Sequence, residues 1–360
     1  MSDPAAFPTQ PPGVAWPTID WPTDLTDAYD EQLNEAFTDP LLGETYAVVV
    51  VQGGRVLAER YGNALAHFDK PPTPVTADTP LLSWSMAKSM THFLVGTLVD
   101  EGRLDPLAPA AVPEWADPRD PRHAITVADL LAMRDGLDFN EAYVLDQPSH
   151  VVDMLFGEGQ QDTAGYTARR PLAHEPGSVF NYSSGTTNLL SRLVADQVGP
   201  GDPYRAYLQS RLFDAIGMRS ATATFDAAGT FIGSSYVYAT ARDFAKFGLL
   251  YLRGGTWGDE QLVSRDWVRT ARVPVSVDEE SGYGYSWQWW VRGDDYGTFA
   301  AHGYEGQRVT VIPALDAIIV RCGKTASDHY PALRAWQDRL IAALAAAYAP
   351  SKSKPRSGAV

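Results

Sequence analysis

Apolar and polar positions give this chain three different rhythms. Near the start, Tyr46-Ala47-Val48-Val49-Val50-Val51 is an apolar run of strand length. Gln52-Gly53-Gly54 makes a tight turn and residues 55–61 a return strand, which together predict a hairpin. A helix is expected before it, over 25–37. Residues 84–100 then form a helix that is apolar almost all round, through Met86, Ala87, Met90, Phe93, Leu94, Val95, Leu98 and Val99. Such a helix belongs in a core.

From there the helical period dominates. Thr126 and Asp129 open a helix in capping-box fashion, with Leu130, Leu131 and Met133 on its apolar face and Gly136 beyond its end. Further helices are expected over 187–198, 203–216 and 241–253. Strands return at 287–291, 309–312 and 317–322, and a final Ala/Leu-rich helix covers 331–348. Strands at both ends with helices between them imply an α+β fold, with one antiparallel sheet built from both ends of the chain. The corresponding division is a mobile segment at 1–22, a sheet domain from 23–102 and 271–349, an inserted mainly helical domain at 103–270, and a loose tail at 350–360.

Composition narrows the function. With 360 residues and 45% hydrophobic content there is ample material for a core. The net charge of −15 and the lack of a basic cluster in the body argue against nucleic acid. No apolar run reaches membrane-spanning length, and no secretory signal stands at the start, so a cytoplasmic location is expected. Cys322 is the single cysteine and reads as a buried thiol.

The candidate chemistry lies at the start of the apolar helix. Ser85 and Lys88 are three residues apart, so they share a helix face. A serine hydroxyl is a weak nucleophile, and an amine kept partly neutral by burial can take its proton. The plain alternative is a surface serine with a snorkelling lysine. A Gly-x-Ser-x-Gly elbow, a phosphate loop and a His-Glu-x-x-His zinc helix are all missing, and no cofactor is implied.

Several stretches together resemble the serine β-lactamase and penicillin-recognising superfamily, especially its class C and esterase branch. They are Ser85-Met86-Ala87-Lys88, Leu130-Leu131-Ala132-Met133-Arg134-Asp135-Gly136-Leu137, Glu175-Pro176-Gly177-Ser178-Val179-Phe180-Asn181-Tyr182-Ser183-Ser184, and Thr240 to Gly248, in the family's order. Within it, Asn140-Glu141-Ala142-Tyr143-Val144, Gln288-Trp289-Trp290 and Gly306-Gln307 are similar to the 6-aminohexanoate-dimer hydrolases.

The resemblance implies a β-lactamase-like fold and a serine hydrolase that cleaves esters or linear amides through an acyl-enzyme. Ser85 would be nucleophile, Lys88 its base and Tyr182 the third catalytic residue. The backbone N–H groups of Ser85 and Tyr304 would form the oxyanion hole. Tyr143, Trp289, Trp290, His302 and Gly303 would contact substrate, with one of the two tryptophans facing the core. Where the penicillin-recognising enzymes carry a lysine on the edge strand, this chain has Ala301-His302-Gly303. A fixed cation for a substrate carboxylate is therefore expected to be missing, and β-lactam turnover to be weak. The alternatives are a DD-peptidase or β-lactamase, and a catalytically dead binding module. The expected partner is a small-molecule ester or amide, and a homodimer is left open.

Overall fold

A computed structural model describes residues 6–65, 71–143 and 148–353. The first helix, α1, spans Asp30–Thr38, five residues later than the sequence pattern suggests. Residues 24–26 instead lie along the hairpin's return strand, where the N–H groups of Asp24 and Thr26 donate to the carbonyls of Val56 and Leu57. The unpaired edge of that strand competes for this segment and wins it from the helix.

Strands β1 (Glu44–Gln52) and β2 (Arg55–Tyr61) form the expected hairpin, with positive φ at both Gly53 and Gly54. The apolar run of β1 is explained by two cores. Ala47, Val49 and Val51 join the main core, and Val48 and Val50 join the second, on the opposite face.

Helix α2 covers Ala87–Asp100 and is buried through Leu98. Helix α3, Val127–Leu131, carries a complete capping box between Thr126 and Asp129. It stops short of Gly136 because Met133 already takes a positive φ. Helix α4 is Ser184–Val198, capped by the Ser183 side chain. Asp202–Leu208 forms α5, which runs on into a π-helical turn over Gln209–Asp214. Helix α6, Ala241–Leu252, is capped by Thr240.

The returning strands are β3 (Ser276–Val277), β4 (Gly284–Tyr285), β5 (Trp290–Val291), β6 (Phe299–Gly303), β7 (Gln307–Ile312) and β8 (Ala317–Lys324). They complete one eight-stranded sheet in the order β3-β4-β5-β6-β7-β8-β1-β2, antiparallel at every junction. Helix α7, Tyr330–Ser353, and α1 cover one face, while α6 and α2 share the main core on the other. Burial pushes the Cys322 thiol up to about 12, which makes it inert at neutral pH.

Three sequence expectations need correction. The strand foreseen over 287–291 is only Trp290–Val291, because Gln288 takes a positive φ and turns its side chain inward to Thr187 and the carbonyls of Leu130 and Leu131. The lead-in over 1–22 is strapped down across its described part. Trp21 is buried and donates to the Arg242 carbonyl, and Trp16 lies against Trp257. The strand bearing His302 is not an edge strand, although it pairs with β5 only through Phe299 and Ala300, which leaves its last three residues unpaired on that side. The expected tail lies outside the described residues from 354 onward. Among the described residues no helix is long and apolar enough to cross a membrane.

Candidate active site

The turn that presents Ser85 is held before the helix begins. Trp84 has a φ of +45°, rare for a bulky residue, and Trp84–Met86 is a 3₁₀ turn that leads into α2. The Ser83 hydroxyl fastens this turn by donating to Ser235 O and accepting from Val237 N. The end of β6 runs against it, and a Cβ on Gly303 would collide with the Ser83 carbonyl oxygen, so glycine is what lets the strand approach. Ser85 lies in the first turn of one helix and Tyr304 opens another, the 3₁₀ turn Tyr304–Gly306. Backbone N–H groups at such positions have no intrahelical acceptor.

Lys88 is 2% exposed. Its Nζ donates to Ser85 Oγ at 2.9 Å, to Ser184 Oγ at 2.9 Å and to Ser234 O at 3.1 Å. It also lies 4.8 Å from the centroid of the Tyr182 ring. Among the described residues no carboxylate touches it directly, and burial lowers its pKa to about 8, opposed by the charge of Glu141. Glu141 is half-buried and accepts the Ser184 hydroxyl at 2.5 Å and the Ser184 N–H at 2.7 Å. Burial raises its pKa, while Lys88 and Ser184 pull the other way. A chain therefore runs from Ser85 through Lys88 and Ser184 to Glu141.

Tyr182 is enclosed by Tyr285 and Trp290, and its hydroxyl is turned toward Ser85. Burial, then Glu141, raises its pKa, so the phenol keeps its proton at neutral pH. Tyr143 stacks on Tyr304 at 4.6 Å, with Trp84 edge-on to both rings. Its hydroxyl is buried, and among the described residues it has no partner in hydrogen-bond geometry.

A cavity of about 530 Å³ opens from Ser85 and is lined by Tyr143, Tyr182, Trp290, His302, Gly303 and Tyr304, among others. His302 stacks on Trp290 at 5.5 Å, and burial, aided by the charge of Arg308, holds its pKa well below the usual imidazole value. Trp289 is the exception among the expected substrate contacts. It is wholly buried between Phe247, Tyr251 and Phe299, on the core side of the turn at Gln288 that precedes β5.

Sequence reasoning missed Glu141, Ser184, Ser234 and Arg308. Glu141 and Ser184 sat inside stretches singled out for their tyrosines, but nothing local joins residues 43 positions apart. Arg308 carried one signal, a charge at the head of the apolar strand Val309 to Ile312. It lines the cavity together with Arg334, so the site does hold fixed cations, contrary to the expectation drawn from Ala301.

Comparison with known proteins agrees with this architecture. The Beta-lactamase family model matches residues 35–343. The 6-aminohexanoate-dimer hydrolase of Paenarthrobacter ureafaciens is 30% identical over 333 residues, covering 85% of this chain and 77% of the relative. Among solved structures, a Bacillus anthracis protein provisionally named 6-aminohexanoate-dimer hydrolase superposes with a TM-score of 0.75 at 20% identity, covering 97% of this chain and 91% of that one. The class C β-lactamase of Rhodobacter sphaeroides gives a TM-score of 0.64 at 17% identity, with 89% and 99% coverage. With the family model spanning the sheet and the helices that frame this cavity, the chain belongs to the β-lactamase family and is a serine hydrolase of that fold.

Proposed function

We propose that Ser85, Lys88 and Tyr182 are the catalytic set of an esterase and linear amidase that works through an acyl-enzyme. The observation that carries this reading is the 2.9 Å contact between Lys88 Nζ and Ser85 Oγ in a site dry enough to bring the amine's pKa to about 8. Neutral Lys88 takes the Ser85 proton as Oγ attacks the scissile carbonyl. The oxyanion forms between the N–H groups of Ser85 and Tyr304. Tyr182 gives its proton to the leaving oxygen or nitrogen and recovers one from Lys88, which leaves an acyl group on Ser85. Water then attacks this ester with the proton transfers reversed, releasing the acid and restoring Ser85.

Glu141 takes no part in bond making. Through Ser184 it holds one of the three acceptors around Lys88 and steadies the amine's orientation. The Tyr143 hydroxyl, without a partner in hydrogen-bond geometry among the described residues, supports the amide side of the reading, since a leaving nitrogen in the cavity would supply one. Linear amides of the 6-aminohexanoate-dimer type enter through the name of the relative 30% identical to this chain.

The test is a panel of p-nitrophenyl esters and short linear amides with wild type and Ser85→Ala, with mass spectrometry after fluorophosphonate treatment. One adduct on the Ser85 peptide and loss of turnover in the variant are expected. An adduct elsewhere, or unchanged turnover in Ser85→Ala, would overturn the assignment.

A further inference from the structure

Among the described residues five besides glycine take a positive φ: Trp84, Met133, Gln288, Glu305 and Asp316. Asp316 lies in the short connection between β7 and β8, and aspartate accepts that conformation readily. Three of the others adjoin the site. Trp84 precedes Ser85, and Glu305 follows Tyr304. Met133 accepts the N–H of Asn181, the residue before Tyr182. Gln288 neither adjoins a reacting group in sequence nor lines the cavity. A strained backbone persists only where the surrounding structure over-determines it.

Gln288 stands in the tight turn between β4 and β5. Tyr285 is paired with Trp290 across the hairpin, and the Ser286 N–H donates to the Trp289 carbonyl at 2.9 Å. In a turn of this kind the second central position, with its positive φ, suits glycine or asparagine. Here it carries a glutamine with a φ of +58°, 2% exposed. Glycine would relieve the strain and bury no amide, so the side chain and not the turn accounts for the residue.

All of its polar atoms are engaged. Oε1 accepts the Thr187 hydroxyl at 2.8 Å. Nε2 donates to the carbonyls of Leu131 at 3.0 Å and Leu130 at 3.3 Å, and the backbone N–H donates to Leu131 O at 3.1 Å. The backbone carbonyl accepts the Ser89 hydroxyl at 2.8 Å. Three helices therefore meet on one residue. Ser89 follows Lys88 in α2. Thr187 is about one turn past Ser184 in α4. Leu130 and Leu131 close α3, whose exit at Met133 holds Asn181 beside Tyr182. The same turn delivers Trp290 to the Tyr182 ring at 5.4 Å.

We infer that Gln288 is a positioning residue, a buried clamp that sets the distance between the helix carrying Lys88 and the segment carrying Tyr182 and Ser184. It touches neither substrate nor a reacting atom. Its effect is exerted through Ser89, Thr187 and the end of α3, and it keeps the Lys88 amine within 2.9 Å of both Ser85 Oγ and Ser184 Oγ. The inference rests on the reading of Ser85, Lys88 and Tyr182 as the catalytic set.

The test uses the full chain with three substitutions. Gln288→Gly suits the turn and removes the clamp. Thr187→Val cuts one of its bonds and leaves the turn alone, and Thr187→Ser keeps that bond. Turnover of p-nitrophenyl butyrate, per folded enzyme, gives kcat and KM. NMR titration of protein carrying isotope-labelled lysine follows Lys88 without any substrate, its signal assigned by its loss in Lys88→Met.

Gln288→Gly should lower kcat by about 10–100-fold, the effect of moving a reacting group by about 1 Å, with KM within about twofold of wild type. It should also raise the Lys88 midpoint from about 8 toward the ordinary amine value, because a loosened site admits water. Thr187→Val should do both in smaller measure, and Thr187→Ser should behave as wild type. Losses in the double variant Gln288→Gly/Thr187→Val should fall short of the sum, since both cut the same bond. A purely structural glutamine would lower the melting temperature and leave kcat per folded enzyme and the Lys88 midpoint where they were, which would overturn the clamp. If Gln288→Gly does not fold, Thr187→Val decides, and normal kcat with an unmoved midpoint would overturn it there. A wild type that turns over no ester sinks the hydrolase reading. In that case a Lys88 midpoint that rises in the variants still supports the clamp, and one that stays overturns it.

Discussion

Among the described residues two lysines are buried inside helices, and their surroundings could hardly be less alike. Lys246, in α6, is 4% exposed and Lys88, in α2, 2%. Lys246 has the carboxylate of Asp243 one turn back at 2.8 Å and the Gly217 carbonyl beside it. Asp243 in turn accepts the N–H and hydroxyl of Ser220. That is a closed ion pair, which locks a charge in place. Lys88 meets two hydroxyls, a carbonyl and the face of a phenol ring, and the Glu141 carboxylate lies one hydroxyl further away. A buried amine next to a carboxylate serves the fold. A buried amine among neutral acceptors gives up its proton near neutral pH and can serve as a base.

The comparison breaks most visibly at Lys88 itself. Lys88→Met should lower kcat on short esters by about 10⁴-fold or more, since residues that act as a unit fail together. In stability it should cost about 1–3 kcal/mol, less than a broken ion pair, because Ser234 O loses its donor while Glu141 keeps its two Ser184 donors and loses only a cation one hydroxyl away. Urea melts and ester kinetics on the same preparation check both halves. A variant that loses about 3–5 kcal/mol yet keeps near-normal kcat would return Lys88 to the class of Lys246.

The next effect concerns the phenol beside Lys88. Tyr182→Phe should cost about 10²–10⁴-fold in kcat and little in KM, the range of a general acid–base group. Unchanged kcat in stopped-flow or steady-state assays would leave Tyr182 a packing residue.

Lys246→Met should do the reverse of Lys88→Met. It strands Asp243 in the core and should cost about 3–5 kcal/mol in denaturant melts. The folded fraction should keep its ester kcat. Loss of activity out of proportion to unfolding would show that α6 reaches the site.

The smallest effect is a displacement in pH. Lys88 has its pKa lowered from 10.5 to about 8, so kcat/KM should rise with pH and level off above about 8. Between about 8 and 10.5 the unfolded chain holds more protons at this residue than the folded one, so its contribution to stability increases with pH across that window. Below 8 both states are protonated and the cost of burying the charge is paid in full. Glu141 opposes the lowering, so Glu141→Gln should move the rate limb to lower pH while keeping an acceptor for Ser184. A limb that moves up, or does not move, would remove Glu141 from the electrostatics of Lys88.

Features that depend on neighbours in sequence could be read from the chain alone. The β1–β2 hairpin follows from an apolar run, two glycines and a return strand. The capping box of α3 follows from Thr126 and Asp129. Ser85 and Lys88 meet because helical spacing puts them on one face, and the apolar residues around them predicted the burial. The start of α1 and the break at Gln288 were decided by partners far along the chain, which local propensity cannot see; that one of Trp289 and Trp290 would face the core was expected, and the fold decided that it is Trp289.

The same division runs through the site. Helical spacing placed a hydroxyl beside an amine, and the family resemblance pointed to Tyr182, whose ring the fold sets against Lys88. Only the tertiary structure brought Glu141 to Ser184, set the Ser234 carbonyl under Lys88, and turned Arg308 instead of residue 301 toward the cavity. The physical reason is that a buried charge takes its character from whichever groups the fold closes around it. Those groups come from loops and strands whose meeting is fixed by sheet register and helix packing, not by spacing along the chain.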